Sequence, residues 1–148
     1  MTTPISPDSA DDSRRWMLVF VAWLMAAIAS LGAVYLGEVK GLPICSLCWY
    51  QRIFMFPLAL LLPIGLFPYD PRIVRYGLAL ALPGAAIAVF QMLLVAGVIP
   101  EQIQPCSQGV PCGKTVAVWF GFVTIPLLSV AAFSLIIALL LAAQRRSS

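Results

Sequence analysis

Four cysteines are the residues of this chain best suited to covalent chemistry, and they come in two pairs. Cys45 and Cys48 form a Cys-x-x-Cys unit within Pro43-Ile44-Cys45-Ser46-Leu47-Cys48-Trp49-Tyr50-Gln51-Arg52, at the mouth of an apolar run. Drawn as the first turns of a helix, Cys45, Cys48 and Arg52 fall at i, i+3 and i+7, on one face. A helix N-terminus and a nearby cation both favour thiolate over thiol. Thiolate is the form that attacks disulfides and gives up electrons. The stretch therefore reads as a redox dithiol, with a structural disulfide or half of a metal site as the plainer alternatives.

Cys106 and Cys112 enclose five residues, Ser107 to Pro111, in a polar stretch with Gly109 and Pro111 between them. As a disulfide they would close a small loop, which the chain-entropy model credits with only about 2–2.5 kcal/mol. A small bridge on an outer loop is also open to an attacking thiolate, so structural and functional readings both stand for this pair alone. Together the two pairs fit a relay that runs from an outer loop to the membrane edge, and then to a lipid-soluble two-electron acceptor such as a quinone.

The elements that must position these sulfurs are apolar. Of the 148 residues 61% are hydrophobic and 10% charged, against about 25% charged in ordinary globular chains. Several apolar runs reach the roughly 20 residues that cross a bilayer as a helix. Lipid admits only helices or closed barrels, and the short alternating segments of a barrel are missing. We read an all-α integral membrane four-helix bundle with two outward-facing cysteine loops. The chain has no histidine, which removes the usual metal ligand, haem ligand and general base. The net charge of +3 sits at helix ends and speaks of orientation rather than nucleic acid.

Residues 1–15 read as a disordered cytoplasmic tail. Ser13-Arg14-Arg15 before an apolar run has the look of a twin-arginine signal, with Ala27-Ile28-Ala29 as a cleavage site. The run continues through Leu36 and leads into further membrane, so we read it as the first span. The domain at 16–143 has spans at about 16–36, 49–67, 73–98 and 123–143, and a basic cytoplasmic tail follows at 144–148. Pro57 and Pro63 lie in the second span, and Pro83-Gly84 predicts a kink in the third. Val116 to Phe122, with Trp119 and Phe120, is expected along the interface. Pro126 falls in the first turn of the fourth span, where proline is allowed.

Four spans put both termini on one side. Arg14, Arg15, Arg72, Arg75, Arg145 and Arg146 fall at the tails and middle loop, and Lys40, Arg52 and Lys114 at the other face. That bias expects a multi-pass cell-membrane protein with both termini cytoplasmic and the cysteine loops extracytoplasmic, where disulfides persist. Trp49, Tyr50, Trp119 and Phe120 read as interface anchors, and Met55 and Phe56 as packing or lipid contacts. Glu38, Lys40, Glu101 and Lys114 read as solvated charges that could help dock a partner.

The chain resembles the DsbB-like disulfide bond formation proteins, in their BdbC-like branch. The residues that carry the resemblance are Cys45-Ser46-Leu47-Cys48-Trp49-Tyr50-Gln51-Arg52, then Pro105-Cys106 to Pro111-Cys112, then Trp119-Phe120-Gly121-Phe122-Val123-Thr124-Ile125-Pro126. It covers about Trp16 to Ala143. The resemblance implies a membrane thiol:quinone oxidoreductase that reoxidises an extracytoplasmic DsbA-like thioredoxin-fold partner, with menaquinone or ubiquinone as cofactor. It implies that Cys106 takes the mixed disulfide and that Cys112 exchanges toward Cys45. Cys48 then faces the quinone, and Arg52 stabilises thiolate and quinol oxyanion. Many relatives have a longer gap between the loop cysteines. Relatives also often place a histidine near the quinone in the third span. Here Gln91 is the expected substitute donor, unless it only bridges helices.

Two other classes compete. Four cysteines could hold Zn²⁺, although Arg52 disfavours a cation there. The chain could also be a tetraspan subunit stapled by two inert disulfides. A vitamin K epoxide reductase-like protein ranks lower, because its Cys-x-x-Cys lies late in the helix order.

Overall fold

The fold comes from a computed structural model that describes residues 7–41, 44–103 and 124–145. Cys106, Cys112, Lys114 and the expected interfacial stretch 116–122 lie outside the described residues.

Four helices are long and apolar enough to cross a membrane. They are α1 (Pro7–Val34), α2 (Ser46–Leu66), α3 (Arg72–Val95) and α4 (Ile125–Arg145). A wide π turn, Tyr35–Val39, extends α1. Contacts run round a ring, α1 to α2 to α3 to α4 and back to α1. At one end meet the close of α1, the start of α2, the close of α3 and the start of α4. Lys40 and both described cysteines lie there. Arg14, Arg15, Arg72, Arg75 and Arg145 lie at the other end.

The helix bounds follow local chemistry. α1 starts at Pro7 rather than Trp16, so residues 7–15 are helix and not tail. Proline suits the first helical position, and Asp8 in the first turn complements the helix dipole. Arg15 pairs with Asp12 at 3.7 Å, one turn apart. The polar residues thus mark where apolar surface ends, not where helix ends. α3 stops at Val95, short of the expected Val98. Gly97 takes φ +76°, and the Val98 and Gly97 amides fold back on Leu93 and Leu94 carbonyls at 3.1 Å each. That glycine turn closes a helix end. At α4 the Leu127 amide donates to Thr124 Oγ1 at 3.4 Å, capping a first turn in which Pro126 needs no N–H.

The prolines inside the spans are absorbed by neighbours. Pro63 has no N–H for the Ala59 carbonyl. Trp23 Nε1 of α1 donates to that carbonyl at 3.0 Å instead. α3 runs unbroken through Pro83. A Cβ on Gly84 would stand 2.4 Å from the Phe133 ring, so this glycine lets α4 approach α3. Val19, Leu58, Leu62, Phe133, Ile136 and Leu140 are fully buried and form the centre. Leu31, Leu60 and Ile64 are about 70% exposed. Apolar surface on the outside and small residues at the helix contacts are what a lipid environment selects.

Candidate functional site

Cys45 occupies the N-cap of α2 in an extended conformation, φ −77° and ψ 160°. Its side chain makes no capping bond and turns inward, leaving it 6% exposed. Cys48 falls one turn on, half-buried. Their sulfurs are 3.0 Å apart, and both thiols are free. Leu47 and Leu94 are buried beside Cys45, with Ile87, Phe90 and Ile99 around them. Cys45 stands ahead of the span. Its hydrogen bond to Cys48 and its burial both hold its thiol above the ordinary range, because each disfavours loss of the proton.

Gln91, 3% exposed on α3, donates through Nε2 to Cys45 Sγ at 3.3 Å and to Cys48 Sγ at 3.5 Å. Its Oε1 accepts from Gln51 Nε2 at 2.6 Å. Gln51 is itself buried, 6% exposed.

On the far side of Cys48 lies a cavity of about 250 Å³ between α1, α2 and α4. Cys48, Gln51, Arg52 and Ser129 supply its polar wall; the rest is apolar, including Met55 and Phe133. The α1 wall is built of small residues, Ala29, Gly32, Ala33 and Gly37. Arg52 donates to the Ala33 carbonyl, and its guanidinium lies 5.5 Å from the Trp49 ring centre, over its face. Among the described residues no carboxylate pairs with it. A Cβ on Gly37 would stand 2.9 Å from Arg52 Nη2 and 2.8 Å from Ile44 Cδ1. Gly37 therefore leaves the room that Arg52 uses, in the π turn that begins two residues after Ala33.

The structure brings Cys45, Cys48, Arg52 and Gln91 to one end of the bundle, but not on one stripe. Cys48 and Arg52 line the cavity, whereas Cys45 is turned into the seam between α2 and α3. Helical spacing predicted a shared face for all three; the extended backbone at Cys45 breaks that register. Gln91, expected as a donor near a quinone or as a bridge between helices, bonds Gln51 from α3 to α2. It reaches the sulfurs and is absent from the cavity wall. Gln51 went unnoticed in the sequence, and its signal was a polar side chain one turn past Cys48 in an apolar helix. Among the described residues no three His, Cys, Asp or Glu side chains cluster to hold a metal. A site built from all four cysteines involves Cys106 and Cys112, outside those residues.

The wall chemistry suits an uncharged aromatic head group with oxygens at its edge. It offers apolar surface, one guanidinium, one amide, one hydroxyl and a sulfur, in a space near the small end of ligand pockets.

The family model described as disulfide bond formation protein DsbB matches residues 13–143. The chain is 43% identical over 134 residues to a probable disulfide formation protein of Metapseudomonas resinovorans, covering 90% of this chain and 93% of that one. It is 43% identical over 124 residues to disulfide bond formation protein C of Bacillus subtilis (strain 168), covering 84% and 90%. A probable disulfide formation protein of Deinococcus radiodurans is 40% identical over 131 residues, covering 82% and 85%. No solved structure matches the chain.

Proposed function

The chain belongs to the family of disulfide bond formation protein DsbB, and on that premise we propose that it is a thiol:quinone oxidoreductase serving a soluble dithiol partner. That it is a multi-pass membrane protein acting in disulfide bond formation follows from the family and the four spans. The quinone, the partner and the orientation are the proposal.

One observation carries it. A dithiol with its sulfurs 3.0 Å apart has one member, Cys48, in the wall of an apolar cavity that also holds Arg52. Bound there, a quinone supplies an acceptor for two electrons and two protons. Cys48 presents its sulfur to the cavity from the first turn of α2, where helix dipole and guanidinium favour negative charge. Arg52, fixed by the Ala33 carbonyl and Trp49, would hold positive charge beside the oxygens of such an acceptor. Cys45 is near enough that closing the pair needs roughly an ångström of motion to reach the bond length of about 2.05 Å.

Upstream, Cys106 takes the mixed disulfide with a DsbA-like thioredoxin-fold partner, and Cys112 passes the exchange to Cys45. The sulfur end faces outward, since the arginines gather at the opposite end.

The test is reduction of a soluble quinone by purified protein supplied with a reduced thioredoxin-fold dithiol. Replacing Cys48 with alanine should lower turnover more than about a thousandfold, as loss of a nucleophile does. Turnover that survives this change would sink the proposal.

A further inference from the structure

Gln91 has one oxygen and one nitrogen to offer, and which of them meets the sulfurs decides its effect. An amide nitrogen donates to a sulfur carrying negative charge; an amide oxygen repels it. Nothing in Gln91 itself selects the orientation. Gln51 does, because its Nε2 donates to Gln91 Oε1 at 2.6 Å. With the oxygen held by Gln51, Nε2 makes the shorter contacts to Cys45 Sγ and Cys48 Sγ, at 3.3 and 3.5 Å, against 3.9 Å between Oε1 and Cys48 Sγ. Both glutamines are buried, so the partners that orient the amide are protein groups rather than bulk solvent. Gln51 also lines the cavity, beside Cys48.

We propose that Gln51 and Gln91 form a directed amide pair in which Gln51 fixes Gln91 as donor to both sulfurs of the Cys45–Cys48 dithiol. Gln91 is thereby a positioning residue for the dithiol, and Gln51 acts through it. The inference rests on the dithiol reading given under Proposed function but not on a quinone.

The hydrogen bonds favour the reduced, charged sulfur over the disulfide. Their loss should slow thiolate chemistry at neutral pH and make the pair harder to reduce. The experiment uses the full chain in detergent, reduced and freed of lipid. It compares wild type, Gln91→Met, Gln51→Met and the double variant. Two quantities are read: the alkylation rate of Cys48, followed by peptide mass, and the midpoint potential of Cys45–Cys48 against a thiol–disulfide buffer. Gln91→Met should slow alkylation about tenfold, the scale of one hydrogen bond to a charged group. It should lower the potential by about 30 mV, the equivalent of tenfold for two electrons. Gln51→Met should give part of both effects, because the freed amide can turn. The double variant should match Gln91→Met alone, since Gln51 has nothing left to direct.

A Gln91→Met protein with wild-type alkylation and potential overturns the inference. So does a Gln51→Met effect that adds in full to that of Gln91→Met. Gln91→Leu repeats the comparison should methionine prevent folding. If the sulfur readouts behave as stated while quinone reduction is absent, the amide pair stands and the quinone reading falls.

Discussion

The two ends of the bundle solve opposite problems with the same four helices. At the arginine-rich end the chain is closed. Gly65 packs against Ile73, with an added Cβ only 2.4 Å from the Ile73 Cβ, and the Asp70 amide returns to the Gly65 carbonyl at 2.8 Å. Asp70 Oδ1 also accepts from the Arg72 amide at 2.9 Å. Trp16 stacks on Phe20 at 5.0 Å and meets Phe67 edge-on at 5.9 Å. At the sulfur end the chain is left open. α1 widens into a π turn, small residues hollow out a cavity, and one buried amide, Gln91, held by a second, Gln51, meets two sulfurs. Interior space and buried polar groups both cost stability. The arginine end has an open hollow beside Arg145 and a buried Arg15 Nε without a partner, but the two buried glutamines and the cavity beside Cys48 lie at the sulfur end, as an end shaped for chemistry requires.

One pair of glycines breaks or sharpens that contrast. Gly65→Ala at the closed end drives a Cβ into a β-branched Cβ beside the backbone, which cannot swing away. It should cost about 1–3 kcal/mol, the range for overpacking, read as thermal unfolding in detergent, with turnover per folded molecule unchanged. Gly37→Ala at the open end meets only the tips of Ile44 and Arg52, which can move. It should cost under about 1 kcal/mol yet reduce turnover, because Arg52 is displaced from the cavity wall. The reverse outcome, with Gly37 the structural position and Gly65 the functional one, would undo the contrast.

Much of this was legible in the sequence, for local reasons. Long apolar runs give the helical class and the four spans, and a Cys-x-x-Cys unit followed by Arg52 marks the dithiol at the start of α2. What was hidden depends on how helices distant in sequence align. Gln91 faces the sulfurs only because α3 packs on α2 in one register, and no period within either helix encodes that. Gln51 stood inside the quoted motif but gains its meaning from that same register. The start of α1 at Pro7 was masked by polarity, which reports on solvent rather than conformation. The end of α3 was available at Gly97, although the apolar run through Val98 outweighed it.

A smaller effect tests how the closed half tolerates its prolines. Trp23→Phe removes the indole donor and leaves the Ala59 carbonyl without its partner at 3.0 Å. The loss should be about 1–2 kcal/mol of stability. Pro63→Ala restores a helical N–H to the same carbonyl. In that background Trp23→Phe should be close to neutral, a coupling that a double-mutant cycle reads directly. Equal costs in both backgrounds would mean that Trp23 acts through packing alone. The sulfur end has its own parallel, where Arg52 donates to the Ala33 carbonyl just ahead of the π turn.

The smallest expected effect is a pH response confined to the closed end. Tyr69 lies between α2 and α3, outside the spans, and burial raises its phenol above the usual value, with Asp12 adding to the shift and Arg15 opposing it. A phenol whose folded value is raised favours the folded state while it stays neutral. That contribution is whole below the unfolded value of about 10 and is lost as pH rises through the folded one. Thermal unfolding of the wild type should therefore decline between about pH 9 and 11 slightly more than that of Tyr69→Phe, and the two should run parallel below. Oxidoreductase turnover at matched folded fraction should not separate them, because Tyr69 is at the far end from Cys48. A turnover difference between the two at neutral pH would tie the closed end to the chemistry and remove the division of labour between the ends.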